Sequence, residues 1–425
     1  MTGVDRRDFV KATGAGAAGA GLTGCLGGGG GGGDGDGPTV GIIEDRSGNF
    51  SLVGTPKWQA TRLAVEEINE NGGVMGEEVG IFDPDPQSDN TRYQELTEQA
   101  IQQRDVDALW AGYSSATREA IRPIIDREDQ LYFYTTQYEG GVCDHNIFAV
   151  GATARQQLGI VIPYMIDEYG PNAYTIYADY NFGQLSEEWA RIILDENDGN
   201  LLGSESIPLE ETDFGSTINR IQEEDPDFVI SMLVGNNHEA FYSQRLSAGI
   251  TDIPIGTSTN MAQGHGHLRL EAPSMDNVHC GVNYVEELDT PASNEFAQAM
   301  QERWGDDLEY VNQECENNYF SVYMWKDAVE EAGTFDQEEV KAVLEEGMDV
   351  SAPEGEVSLD GATHHMTHNM RVMRADENHE IDFPGGEELI EPTFLREDVG
   401  CDLTAEDEEA QYFPRDVYDL PFQDV

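Results

Sequence analysis

The sequence predicts an α/β protein of two doubly wound parallel-sheet lobes, joined by a hinge with three crossovers. Three observations predict it. Short apolar runs alternate with amphipathic stretches of helical spacing, linked by tight loops, which is the pattern of a parallel sheet covered on both faces. The rhythm halts near residue 150 and then restarts with a second unit of similar build. Two long amphipathic stretches, at 292–303 and 318–332, come after that second unit and are expected to return to the first.

Taken in order, residues 39–44 read as the first strand. Thr55-Pro56 reads as a helix start, an N-cap followed by proline in the first turn. Ala60, Leu63, Ala64 and Ile68 follow at helical spacing, and Asn71-Gly72-Gly73 closes that helix. Strands at 79–82, 108–111, 131–134 and 147–150 alternate with helices at 90–103 and 117–127. In the second unit, helices at 155–169, 186–194, 216–223 and 239–248 alternate with strands at 173–178, 201–207 and 227–234. The expected boundaries are 38–151 with 284–334 for lobe 1, and 152–283 with 335–375 for lobe 2. The crossovers then fall near Gly151, near Gly281 and after Gly333. Residues 376–425 lose periodicity, are dense in Asp and Glu, and read as a solvated tail wrapped on the surface.

The head of the chain carries an address. Arg6-Arg7-Asp8-Phe9-Val10-Lys11 precedes a weak apolar run, 12–22, and then Leu22-Thr23-Gly24-Cys25. This order resembles a twin-arginine export signal (1–24) ending in a lipobox, with Cys25 the residue that receives lipid. The run is too weak to span a bilayer. Residues 25–37, nearly all glycine after Leu26, read as a flexible tether. The expected location is the extracellular face of the cell membrane, held there by a lipid anchor.

Composition narrows the function. Lys and Arg total 23 against 83 Asp and Glu, a net charge of −60, which excludes a nucleic-acid footprint. Such charge usually means disorder, but 39% of the chain is apolar, with 17 Tyr, 16 Phe and 5 Trp, so a core can form. An acidic, folded, exported chain reads as halophilic, since about 1 M salt shortens the Debye length to about 3 Å. Stability is expected to fall as salt is removed. Cys143, Cys280, Cys315 and Cys401 can pair in three ways as disulfides, and their spacing does not suit a zinc site.

The strand-end loops hold the useful side chains. Gly112-Tyr113-Ser114-Ser115-Ala116-Thr117 and Tyr134-Thr135-Thr136-Gln137-Tyr138-Glu139-Gly140 follow strands of the first unit. Asp179-Tyr180-Asn181-Phe182-Gly183 and Gly235-Asn236-Asn237 follow strands of the second. Hydroxyls, amides and tyrosine rings therefore converge on one crevice, at the strand ends where doubly wound sheets bind ligands. That inventory suits a small neutral polar solute. A urea or amide carries one carbonyl and several N–H donors, each of which needs a partner once buried.

At these positions the chain resembles the type I extracytoplasmic solute-binding proteins of ABC transporters, in the urea and short-chain amide branch of the branched-chain amino acid-binding family. The likeness rests on Asn71-Gly72-Gly73-Val74-Met75-Gly76, Tyr113-Ser114-Ser115-Ala116-Thr117-Arg118 and Gln137-Tyr138-Glu139-Gly140. It continues through Asn146-Ile147-Phe148, Gln156-Gln157, Asp179-Tyr180, Asp289-Thr290-Pro291-Ala292-Ser293, Ala352-Pro353-Glu354-Gly355 and His364-His365. The resemblance implies a periplasmic binding protein type I fold and a receptor that closes on its solute and docks on a membrane permease. By matching position it implies ligand contacts at Tyr113, Ser115, Tyr134, Thr136, Tyr180 and Phe182. Phe182 stands where tyrosine is usual, Thr135 where proline is usual, and 257–271 departs from the pattern.

Two other readings compete. An amino acid would need an acidic partner for its ammonium, and Asp179 or Glu139 could serve. An amidohydrolase-type metal enzyme would use the histidines of His265-Gly266-His267 or of His364, His365 and His368. A two-lobe rhythm and the absence of nucleophile-elbow and phosphate-cradle motifs favour a receptor with no catalytic residue, cofactor or metal.

Overall fold

The computed structural model describes residues 37–235, 237–405, 409–423 and 425. The twin-arginine segment, Cys25 and the tether up to residue 36 lie outside the described residues, as does Asn236. Among the described residues no helix is long and apolar enough to cross a membrane.

The chain runs β1 (Thr39–Ile43), α1 (Ser51–Glu70), β2 (Gly80–Phe82), α2 (Asn90–Arg104), β3 (Ala108–Ala111), α3 (Ser115–Glu128), β4 (Tyr132–Tyr134), β5 (Val142–Asp144) and β6 (Ile147–Ala149). It then passes to α4 (Ala154–Tyr169), β7 (Asn172–Ala178), α5 (Asn181–Glu196), β8 (Asn200–Ile207), α6 (Gly215–Glu224), β9 (Phe228–Met232) and α7 (Asn237–Ala248). There follow β10 (Ile255–Thr257), the single turns α8 (Met261–Gly264) and α9 (Gly266–Arg269), β11 (Val278–Val282), α10 (Pro291–Trp304), α11 (Gln313–Ala332) and α12 (Gln337–Glu345). The remainder is β12 (Met348–Ala352), β13 (Gly355–Asp360), β14 (His365–Met366), β15 (His368–Ala375), β16 (Ile381–Asp382), β17 (Glu387–Ile390), β18 (Glu409–Gln411) and α13 (Pro414–Val417).

Two large sheets form, in the order β12-β13-β14-β6-β4-β3-β1-β2 and β16-β15-β11-β10-β9-β7-β8 with β17 also on β15, and β18 and β5 make a small third. The central strands of both large sheets are parallel and buried on both faces. In the first lobe, Trp110, Phe133 and Phe148 pack against Trp325 and Val329 of α11 on one face. Ile43, Leu109 and Tyr132 pack against Ile121 and Ile125 of α3 on the other. In the second lobe, α4 and α5 cover one face and α6 and α7 the other.

Local chemistry sets many helix ends. Asp89 accepts from the Arg92 N–H at the start of α2, and Thr153 and Gln156 form a reciprocal capping box on α4. Thr290 caps α10 with Pro291 as its first residue, Asn312 caps α11, and Asp336 caps α12. The first helix departs from expectation. It begins at Ser51, not at Thr55, so Pro56 lies inside it.

Three segments join the lobes. Residues 150–153 lead from β6 to α4, 283–290 lead from β11 to α10, and Thr367 leads from β14 to β15. A Cβ on Gly151 would sit 2.3 Å from the Thr136 carbonyl, and one on Gly281 would sit 2.2 Å from the Gln157 carbonyl. The first crossover, and the end of β11 just before the second, therefore need glycine for close backbone approach. The three segments are tied together through Glu354 and His368, the residue after Thr367. Glu354 Oε1 lies 2.7 Å from His368 Nδ1 and accepts from Asn283 Nδ2 at 3.1 Å, while His368 Nε2 lies 2.9 Å from the Val150 carbonyl.

Two expectations are corrected. Residues 335–366 belong with the first sheet, not with lobe 2, and the third crossover falls at Thr367 rather than after Gly333. Helix α12 buries Val340 and Leu344 in the core that holds Trp325 of α11, and the β12–β13 hairpin continues through β14 to β6. Nor are residues 376–425 simply a solvated tail. Strands β16 and β17 pair with β15, β18 pairs with β5, and Phe394, Leu395, Cys401 and Leu403 are buried in the second lobe's core. A disulfide joins Cys143 to Cys401, while Cys280 and Cys315 are buried free thiols.

Candidate functional site

The C-terminal ends of β3 and β4 in the first lobe face those of β7, β9 and β10 in the second. Two cavities lie in this crevice. The inner one encloses about 10 Å³ and is lined by Tyr113, Ser114, Ser115, Thr136, Gln137, Tyr180, Phe182, Val234 and Gln263. That is about the room of one water, so the lobes are shut around it. The outer chamber holds about 640 Å³ and shares Tyr113 and Gln263 with the inner one. Its walls also carry Arg46, Phe50, His238, Glu239, Asn260, Arg269 and Glu309.

Ser114 takes the N-cap position of α3 with φ of 100°, and its hydroxyl oxygen accepts from the Thr117 N–H at 3.3 Å. Ser115, the next residue, is thereby free of capping. Its hydroxyl donates to Glu139 Oε2, and Glu139 Oε1 accepts from Arg118 at 2.9 Å. The Arg118 guanidinium lies over the rings of Tyr134 and Tyr138, 5.0 and 4.7 Å from their centroids.

Tyr113 reaches across the crevice. Its hydroxyl donates to Gln263 Oε1 at 3.0 Å, and Gln263 Nε2 donates to Glu314 Oε1 at 2.9 Å. Thr136 is held from below. Its hydroxyl donates to the Gly112 carbonyl at 3.0 Å and accepts from Lys57 Nζ at 2.7 Å. Lys57 also donates to the Gly112 carbonyl at 2.9 Å and pairs with Glu44 at 3.0 Å. One ammonium thus ties together the ends of β1, β3 and β4. Burial raises the carboxyls of Glu44 and Glu314 above the usual range, and the Lys57 charge works against that rise.

Five of the six expected contacts, Tyr113, Ser115, Thr136, Tyr180 and Phe182, line the inner cavity. Tyr134 does not. It stands behind Ser115, packed edge-on against Tyr132 and Tyr138, and burial lifts its phenol pKa well above the usual range. Sequence reasoning missed the glutamines and the buried charges. Gln137 lay inside a quoted motif and was not assigned a contact. Lys57 had a signal of its own, a cation at helical spacing on the inward face of α1 with Val53, Ala60 and Ala64.

The histidines are engaged in packing. His267 Nε2 lies 2.8 Å from Glu287, His364 stacks on Phe148 at 4.0 Å, and His365 contacts the Tyr138 hydroxyl. Burial lowers the imidazoles of His265 and His365 to about 4. Among the described residues no group of three or more His, Cys, Asp or Glu could hold a metal.

Two α/β lobes shut on a polar crevice at their strand ends define a type I bilobal solute-binding protein. A family model for periplasmic binding proteins matches residues 38–380, and the chain belongs to that family. Among curated relatives, a Leu/Ile/Val-binding protein homolog 7 from Brucella melitensis is 23% identical over 317 residues, 70% of this chain and 78% of the relative. Among solved structures, the branched-chain amino acid transporter substrate-binding protein LivJ from Streptococcus pneumoniae, in complex with isoleucine, aligns with a TM-score of 0.72. It is 18% identical, over 84% of this chain and 99% of its own. A solute-binding protein of an ABC transporter from Rhodopseudomonas palustris, in complex with 3,4-dihydroxybenzoic acid, aligns with a TM-score of 0.73. It is 15% identical, over 83% of this chain and 96% of its own.

Proposed function

We propose that this chain is the receptor of an ABC importer for a small, uncharged polar solute, urea or a short-chain amide, which it captures between its lobes and hands to a membrane permease. One observation carries this reading: every side chain that lines the inner cavity is uncharged. The nearby charges stand behind it, Arg118 paired with Glu139 and Lys57 with Glu44, while Glu314 accepts from Gln263 and from the Gln137 N–H. An ionic solute would leave its charge unpaired there, at a cost that binding rarely recovers. The twin-arginine and lipobox signatures support export and lipid anchoring at Cys25, which places the receptor on the outer face of the membrane.

An amino acid is the second reading. It is favoured by the outer chamber, whose wall carries both signs of charge in Arg46, Arg269, Glu239 and Glu309. The acidic partners expected for an ammonium are otherwise engaged. Glu139 is held by Arg118 and Ser115, and Asp179 accepts from Gln184 on an exposed turn.

A thermal-shift panel in molar salt tests the two. A solute at a hundred times its Kd stabilises by about 2.7 kcal/mol, which is easily read. Urea or acetamide is expected to raise the melting temperature, and leucine, glutamate and 4-hydroxybenzoate are not. A shift with leucine alone would overturn the neutral-solute reading.

A further inference from the structure

Hydrogen-bond direction, more than residue type, decides what a closed polar cavity can recognise. A hydroxyl whose proton is committed elsewhere offers only lone pairs, and an amide whose oxygen is committed offers only its N–H groups. In the inner cavity these commitments can be followed residue by residue.

Three hydroxyls have spent their protons. Ser115 donates to Glu139, which the Arg118 guanidinium holds in place. Thr136 donates to the Gly112 carbonyl, and the incoming Lys57 ammonium enforces that direction. Tyr113 donates to Gln263 Oε1, since the other end of that amide must donate to Glu314. Toward a solute, Ser115, Thr136 and Tyr113 are acceptors.

Gln137 is the converse case. Gln157 Nε2 donates to the backbone carbonyls of Ser258 and Gly281 at 3.2 and 3.0 Å, which fixes that amide's orientation. The same Nε2 also donates to Gln137 Oε1 at 2.8 Å, and Gln313 Nε2 donates to the same oxygen. The oxygen of Gln137 is therefore turned away into the protein. Its Nε2 is left as a buried donor with no hydrogen-bond partner among the described residues, on a side chain 3% exposed that lines the inner cavity. A donor buried without a partner is costly, and a solute carbonyl would satisfy it.

The geometry points to Gln137 as a specificity-determining residue that anchors the solute's carbonyl oxygen, with Ser115, Thr136 and Tyr113 accepting from the solute's N–H groups. This assignment rests on the neutral-solute reading above and sharpens it. The preferred solute has one carbonyl flanked by N–H donors, and an isosteric cation without an acceptor is rejected.

Guanidinium has the shape of urea without its carbonyl, and thiourea keeps the N–H groups but replaces the oxygen with a poor acceptor. Binding of urea, thiourea and guanidinium at millimolar concentration would be measured calorimetrically in molar salt. Wild type is expected to bind urea at least tenfold tighter than either analogue. Gln137→Met, close in shape but with no donor, is expected to lose at least tenfold in urea affinity and to bring the urea-to-thiourea ratio near one. Gln137→Glu is expected to invert the preference toward guanidinium. Wild type that binds guanidinium as tightly as urea would overturn the assignment without needing any variant to fold. So would a Gln137→Met protein with unchanged urea affinity and discrimination. Wild type that binds neither urea nor acetamide would instead overturn the neutral-solute reading itself.

Discussion

At the turn after β3, Ser114 and Ser115 divide two tasks that the sequence presents as one. Either serine could cap α3. Only the backbone, with Ser114 at φ of 100°, shows that Ser114 caps the helix while Ser115 is left for the cavity. Residue type and strand-end position were thus enough to put Ser115 and Thr136 at the cavity lining. They could not separate Tyr134, which faces the lobe's interior, from Tyr113, which faces the crevice, because strand ends alternate faces within one residue. Ser115→Ala is therefore expected to cost tenfold to about a hundredfold in solute affinity, the range for one unpaired polar group. Tyr134→Phe is expected to leave affinity unchanged, whereas Tyr134→Ala should cost about 3–5 kcal/mol of stability by opening a cavity. A tenfold affinity loss in Tyr134→Phe would return its hydroxyl to the ligand contacts. A second residue-scale prediction concerns acid. His279 is buried between Tyr164 and Tyr169, its Nδ1 lies 3.1 Å from the Asn277 carbonyl and its Nε2 3.2 Å from the Tyr169 hydroxyl, an arrangement that suits the neutral ring. Burial lowers its pKa to about 4. The unfolded chain then takes up this proton near pH 6.5 and the folded chain does not. The contribution of His279 is complete above pH 6.5 and is lost as pH falls toward 4, by about 3 kcal/mol in all. His279→Phe is expected to flatten the decline of denaturant-measured stability between pH 6.5 and 4, and an unchanged slope would exclude this role.

Among elements, those with a clean hydrophobic period were legible. The strands at 108–111 and 147–149 and the helices at 90–104 and 154–169 fall within a residue or so of where periodicity puts them. Failures occurred where contacts distant in sequence decide the structure. Strand β14 is two residues long and exists because β6 and β13 flank it, which no local pattern announces. The C-terminal segment reads as tail because its acidic outer residues, such as Glu387 and Glu388 of β17, outnumber its buried ones. Yet Phe394 packs edge-on against Trp189, and Arg415 pairs with Glu188 of α5 at 2.7 Å. The Cys143–Cys401 disulfide closes this strap across a sequence separation of 258 residues. Loop-closure arguments give such a link up to about 5 kcal/mol. Alkylation of the denatured, unreduced protein followed by peptide mapping is expected to label Cys280 and Cys315 and to spare Cys143 and Cys401. Cys401→Ser should lower the melting temperature and make the chain beyond β17 the first site of proteolysis. Alkylation of Cys143 without reductant would sink this pairing.

For the whole molecule, the balance of charge governs the conditions under which the fold can persist. The net charge of −60 lies almost wholly on the surface, because the buried cations are more than matched by buried carboxyls such as Glu44, Glu139, Asp144, Glu314, Glu316 and Glu354. Lys57, Arg118, Arg122, Arg245, Lys341 and Arg371 are each less than 9% exposed. Outside, carboxylates stand side by side with little to offset them, as at Glu223, Glu224 and Asp225 and at Asp306, Asp307 and Glu309. At about 0.15 M salt the Debye length is about 8 Å, so neighbours of this kind repel across several residues, and at about 1 M it is about 3 Å, so most of that repulsion is gone. The repulsion acts on the compact state far more than on the expanded chain, so screening favours folding. The melting temperature is expected to climb by 10 °C or more as potassium chloride rises from about 0.1 M toward 1 M, in the same Debye-length range. It should then level off. The shape of that curve separates two causes. Screening saturates once the Debye length falls below the spacing of the carboxylates, whereas a salt that merely strengthens apolar burial keeps stabilising as more is added. A melting temperature that is flat from millimolar to molar salt would show that the carboxylates are spaced widely enough to be tolerated without screening.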